Sequence, residues 1–274
     1  MQAGEESSTV PLAPLLGPGD PPPFELVNAE GQAKAVLVCD HASNLIPSAL
    51  GTLGLHDKKL HQHIAYDIGC HGLTRRLARL LDSPAVLAGY SRLVVDLNRS
   101  LTDPGLMPEI SDAIVIPGNQ GLSETERNER IRCLFTPYRK AIDGVLHDFH
   151  QRGICPALIA IHSFTPRMNG FERPWHIGIL WDKDPRIPLP LMEKLRQRPE
   201  GIVVGDNEPY SGRHPADYTI DHHAETRGIP HVSIEVRQDL ISDDEGVEHW
   251  ALLLHKALDE ILADPGIYSV WQYV

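Results

Sequence analysis

The sequence predicts an α/β fold in three layers, with a mostly parallel mixed sheet covered by helices on both faces. From residue 35 onward, short apolar runs alternate with longer amphipathic ones, the pattern of strands joined by crossover helices. The chain has 274 residues and a 42% hydrophobic content, enough to bury one large core. No run of eighteen apolar residues interrupts this pattern, so no membrane-spanning helix is expected.

Each element follows from a local signal. Residues 1–22 are rich in Pro, Gly, Ser and Glu; they read as a flexible lead-in, and residues 23–274 as a single α/β domain. "AVLVCD" reads as a buried strand. "GCHGLTRRLARLLD" reads as a helix, since Leu73, Leu77, Leu80 and Leu81 fall at helical spacing while Arg75, Arg76 and Arg79 face away. "AVLAGY" and "LVVDLN" are two further strands. Ser123 with Glu126 three residues later is a capping-box start; it opens a long helix bent at Pro137. "ALIAIHS", "HIGILWD", "GIVVGDN" and "HVSIEV" are strands. "LPLMEKLRQ", the region of "DHHAETRG" and "GVEHWALLLHKALDEIL" are helices.

Charge and cysteine content narrow the function. Lys plus Arg is 25 against 37 for Asp plus Glu, a net charge of -12, which argues against nucleic acid or an anionic membrane as the partner and favours a small molecule. Cys39, Cys70, Cys133 and Cys155 form no C-x-x-C pair, so they read as reduced thiols of a cytoplasmic protein.

In a parallel sheet, reactive groups gather beyond the C-terminal ends of the strands. Polar residues follow four apolar runs: Asp40 and His41 after "VLVC", Asn98 and Arg99 after "VVDL", His162 after "LIAI", and Glu235 and Arg237 in "SIEVRQD". A metal site explains this set. His41 and His162 are two imidazole ligands; the third is Asn44, three residues after His41, or Asp67 in "HIAYDIGC". Asp40 is a candidate to accept the free ring N–H of a ligating histidine. Each residue also has a plainer reading. Asn44 caps a helix, Asp67 pairs with an arginine, and Glu235 forms a buried ion pair with Arg99 or Arg237.

The order His41-x-x-Asn44, "DLNRS", His162, a tyrosine and then Glu235 resembles the zinc carboxypeptidases and their desuccinylase and aspartoacylase relatives. The segments "DHASNLIP", "HIAYDIG", "RLVVDLNRS", "IHSFTP", "GDNEPYSG" and "IEVRQDLI" resemble the N-formylglutamate amidohydrolase family over residues 34–242. That resemblance implies the three-layer hydrolase fold of zinc carboxypeptidases. It implies a metal-dependent hydrolysis of N-formyl-L-glutamate to formate and glutamate, a reaction of histidine degradation, with zinc or cobalt as the metal. Asn44 stands where the wider superfamily has a glutamate ligand.

In such an enzyme Glu235 is the general base and Arg99 stabilises charge on the carbonyl oxygen. Asn98 contacts substrate. Arg237, two residues beyond Glu235, is the first candidate for a substrate carboxylate and Arg173 the second. Asn207, Glu208 and Tyr210 form a loop that closes over the substrate. His56, His61, His63 and His71 read as solvated surface, and His222 and His223 as support for the site. The rival readings are another N-acyl amino acid or small peptide as substrate, a serine hydrolase, and a non-catalytic binding protein with a decayed metal site. No G-x-S-x-G elbow occurs, and Ser43 and Ser163 lack a triad order.

Overall fold

The computed structural model describes residues 14–213 and 218–271. In chain order the elements are β1 (Phe24–Val27), β2 (Ala35–Cys39), α1 (Asp57–Leu60), α2 (Cys70–Leu81), β3 (Ala85–Ala88), β4 (Ile110–Ser111), β5 (Ile114–Val115), α3 (Glu124–Arg130), α4 (Thr136–Gln151), β6 (Ala157–Phe164), β7 (Arg167–Met168), β8 (Phe171–Glu172), β9 (Ile177–Leu180), α5 (Pro188–Arg196), β10 (Val204–Asp206), α6 (Tyr218–His223), β11 (His231–Arg237) and α7 (Asp244–Leu262).

Seven strands form one sheet in the order β1-β3-β2-β6-β11-β9-β10. Neighbours β3, β2, β6 and β11 are parallel, β1 is antiparallel at one edge, and β9 runs antiparallel to β11. The parallel strands β2 and β3 are apolar and buried at every position because helices cover both faces. α2 and α7 pack together, with α5 against α7, while α4 and α6 lie against other parts of the same sheet. α2 buries Leu73, Leu77 and Leu81 as its spacing predicts.

Two expectations are revised. The apolar run 93–97 is no strand; residues 91–99 fold as consecutive turns. Its backbone is satisfied without a ladder: the Asn119 amide donates to the Leu93 carbonyl, the Arg130 guanidinium donates to the Val94 carbonyl, and the Asp96 N–H reaches the Leu106 carbonyl. Apolar content alone does not separate such a buried turn from a buried strand. The long helix is not α-helical throughout. A π-helical turn over Ile131–Phe135 links α3 to α4 without a break, and Pro137 follows directly after it in the first turn of α4.

The described part of the lead-in, 14–22, lies against the body: Leu15 is buried, and the Pro21 carbonyl accepts from the Tyr90 hydroxyl. Residues 1–13 are outside the described residues. No described helix is long and apolar enough to cross a membrane.

Candidate active site

The parallel strands deliver their polar groups to one edge of the sheet. β2 is buried through Cys39 and releases Asp40 and His41 at its end. On the adjacent strands β6 and β11, His162 and Glu235 are register partners, so their side chains leave the sheet on the same face. Asp67 arrives from the following loop, its N–H bonded to the His41 carbonyl at 2.9 Å. Gly69, at φ 84°, then turns the chain into α2; a Cβ there would overlap the Ile241 carbonyl.

Asp67 Oδ2 is the meeting point. His41 Nδ1 is 3.3 Å from it and His162 Nδ1 2.9 Å. Each ring has a carboxylate behind its other nitrogen: His41 Nε2 is 2.8 Å from Asp96 Oδ1, and His162 Nε2 is 3.4 Å from Asp40 Oδ2. All five side chains are buried. Arg92 closes the arrangement, with one guanidinium nitrogen 2.8 Å from Asp96 and another 3.6 Å from Asp67.

Burial and Arg92 both pull the His41 pKa down, yet Asp96 and Asp67 outweigh them and raise it to about 9. Burial likewise opposes protonation of His162, but Asp40 and Asp67 hold its pKa well above the usual imidazole value. The same interactions overcome burial to keep Asp67 and Asp96 below the ordinary carboxylate range, Asp67 through the two imidazoles and Asp96 through Arg92 first.

This donor set fits a divalent cation. Two imidazole nitrogens and one carboxylate oxygen lie within 4.8 Å of one another, the ligand types of an open zinc site. Each imidazole has a carboxylate that can accept its remaining N–H, which fixes tautomer and ring orientation. One divalent cation would also replace the positive charge of the two imidazolium protons that now balance the carboxylates.

The cluster forms the floor of a cavity of about 550 Å³ whose lining includes Glu235, Arg99, Asn98, Tyr210 and His63. Arg99 is 40% exposed and its nearest carboxylate contacts are long, 3.9 Å to Asp96 and 3.8 Å to Asp103, so its guanidinium can be recruited by a ligand. Asn98 accepts the Thr219 N–H at 2.8 Å through its side chain.

The structure places the remaining candidates elsewhere. Asn44 does not join the cluster; its amide donates to the Leu60 carbonyl at 3.0 Å. Arg237 is not in the cavity wall, because the strand ends there and Asp239 holds its guanidinium at 2.8 Å. Arg173 is buried beside the wall, donating to Thr165 and to the Tyr210 hydroxyl, with its guanidinium over the Tyr210 ring. Asn207 braces its loop by accepting the N–H groups of Trp181 and Gly212. Glu208 is exposed, and its carbonyl passes so close to β9 that only glycine fits at Gly178. Of that loop, Tyr210 is the side chain that reaches the cavity, followed by Ser211.

Arg92, Asp96 and His63 carried no sequence signal of their own. Asp96 lies within the run "LVVDLN" read as a strand and Arg92 immediately before it, a charged pair at i and i+4 flanking three apolar residues. His63 lies in the cavity wall, 3.3 Å from Asp112, whereas His56, His61 and His71 are exposed. His222 and His223 face away from the floor, toward Asp143 on α4. There the buried His223 ring lies 3.1 Å and Arg227 2.6 Å from the carboxylate. Replacing Arg237 with Ala is expected to leave KM within about twofold of the wild-type value, since its guanidinium lies outside the cavity lining, held by Asp239 and near the Arg173 and Trp175 carbonyls. A KM rise of tenfold in steady-state assays would return it to the substrate site.

The sequence profile of the N-formylglutamate amidohydrolase family matches residues 33–242. The chain belongs to this family. It is accordingly an amidohydrolase, a hydrolase of amide bonds. A gene product of Agrobacterium tumefaciens of known structure is 32% identical, with a TM-score of 0.87, and the alignment covers 91% of this chain and 98% of that one. The N-formylglutamate amidohydrolase of Ralstonia eutropha shares the fold at 20% identity, with a TM-score of 0.70 over 88% of this chain and 97% of that one. No curated protein sequence matches the chain.

Proposed function

We propose that this chain is a metal-dependent amidohydrolase of N-acyl amino acids, with N-formyl-L-glutamate, cleaved to formate and glutamate, as its first substrate. The observation that carries the reading is the convergence of His41 and His162 on one Asp67 oxygen, with Glu235 in register beside His162. His41, His162 and Asp67 would hold the ion, zinc first and cobalt second. When bound, a divalent cation supplies a positive charge that acidifies water and polarises the amide carbonyl.

The protein side chains divide the remaining work. Glu235 accepts a proton as water attacks the carbonyl carbon, and passes it to the nitrogen as the C–N bond breaks, so the products are a carboxylic acid and an amine. Arg99 faces the oxygen on which negative charge develops. Asp96 and Asp40 hold the ring N–H groups of His41 and His162. Asn98 and Tyr210 bound the substrate space, and the volume of the cavity suits a small amino-acid derivative.

Two measurements test this. Glutamate release from N-formyl-L-glutamate is expected in the presence of zinc or cobalt and is expected to stop on chelation. Turnover insensitive to chelation would overturn the metal role, and absence of turnover on this substrate but not on other N-acyl amino acids would overturn the choice of formylglutamate. Arg99→Ala is expected to reduce kcat by about 10²- to 10³-fold, with Arg99→Lys recovering part of the loss. An unchanged kcat in Arg99→Ala would remove it from the reaction.

A further inference from the structure

A single buried hydroxyl-bearing residue connects the supports of both imidazoles. Thr219, on α6, is fully buried. Its Oγ1 donates to Asp40 Oδ1 at 2.8 Å, and the other oxygen of Asp40 faces His162 Nε2. Its backbone N–H donates to Asn98 Oδ1 at 2.8 Å. The Asn98 N–H in turn donates to Asp96 Oδ1 at 2.9 Å, the oxygen that faces His41 Nε2. An unbroken chain of contacts thus runs from His162 through Asp40, Thr219, Asn98 and Asp96 to His41.

α6 is anchored so that this bridge stays in place. The Arg139 guanidinium lies 4.5 Å from the centre of the Tyr218 ring at the start of α6. At its end His223 is bound to Asp143 of α4. Burial, against the pull of Asp143, lowers the His223 pKa to about 4, which keeps this ring neutral near neutral pH.

We infer that Thr219 is a positioning residue for the amidohydrolase site: it sets the geometry of the two imidazoles by orienting Asp40 directly and Asp96 through Asn98. It touches neither imidazole and acts only through these partners. This inference rests on the metal-site reading above. Groups that orient ligating histidines change metal affinity or activity by about 10- to 100-fold when removed.

The test compares Thr219→Val, which keeps the shape and removes the hydroxyl, with Thr219→Ser, which keeps the hydroxyl. Zinc affinity is measured by competition with a chromophoric chelator. The thermal melt and the imidazole ¹⁵N resonances of His162 are recorded on the same full-length proteins after metal removal. The expected result is a loss of zinc affinity of about tenfold or more in the Val variant, a shifted His162 resonance, and return of both in the Ser variant. Wild-type affinity and an unshifted resonance in Thr219→Val, or a Ser variant that behaves as the Val variant does, would overturn the inference. If the wild-type protein itself binds no zinc, the metal reading fails. The His162 resonance then still decides the role of Thr219, since it does not depend on the ion.

Discussion

Glu235→Gln is expected to reduce kcat by about 10²- to 10⁴-fold while leaving zinc binding intact. The amide has the shape of the carboxylate but cannot accept a proton, and positioned proton transfer contributes a factor of this size. Glu235 sits on β11 between β6 and β9, with His162 and Gly178 as its register partners, so the substitution keeps its place in the sheet. The acid limb of the kcat/KM profile is expected to vanish along with the rate. Turnover within about tenfold of wild type, at any pH, would assign the proton transfers to another group.

The second large effect is on metal affinity. A ligating imidazole must be neutral, and the His41 pKa is raised to about 9 and that of His162 is well above its usual value. An entering cation must displace both protons, so the logarithm of the apparent affinity is expected to rise with pH through the neutral range, the His41 contribution levelling off near pH 9. Asp67→Asn removes the charge that both rings share. It is expected to flatten this dependence and to weaken zinc binding more than any other single substitution in the site. A wild-type affinity independent of pH between 6 and 9 would sink the proposed ligand set.

Linkage gives the chelated protein a matching stability profile. The raised His41 pKa contributes stability that is complete below about pH 6.5 and lost as the pH rises through about 9, and the raised His162 pKa acts in the same direction. The lowered carboxylates Asp67 and Asp96 contribute stability that is present above about pH 4 and lost as the pH falls through their folded values. A chelated protein is therefore most stable between these limits, and denaturant titrations across pH would show it.

The legible part of the site was the part carried by strands. His41, His162 and Glu235 stand at the ends of apolar runs, and the rule that parallel strands present their C-terminal ends together brought them to one place before any coordinate did. The illegible part came from loops and from the limits of alternation. Arg237 was extrapolated from Glu235 by strand periodicity, but β11 stops at that residue and Asp239 takes the side chain. Asn44 was drawn in by its spacing from His41, and spacing does not record that its amide is occupied by Leu60. Asp96 lies inside, and Arg92 just ahead of, an apolar run whose Leu93 and Val94 carbonyls are taken by side chains from residues 119 and 130. Thr219 bonds to residues 121 and 179 positions away, a separation that no local pattern encodes.

The turn segment 91–99 supplies Arg92, Asp96, Asn98 and Arg99, yet no sheet ladder holds it. Side chains from a neighbouring loop and from α3 secure its carbonyls. Its N–H groups donate to turn and loop acceptors, Arg92 to the Ala65 carbonyl and Asp96 to the Leu106 carbonyl, whereas β6 and β11 are paired strands of the sheet. Four of the side chains that line the cavity, Arg92, Asp96, Asn98 and Arg99, thus come from a buried segment outside the sheet. Because Asp96 of this segment holds the His41 ring and Arg92 reaches Asp67, loss of the Asn119 or Arg130 side chain is expected to disturb the His41 end of the cluster together with the Arg99 wall.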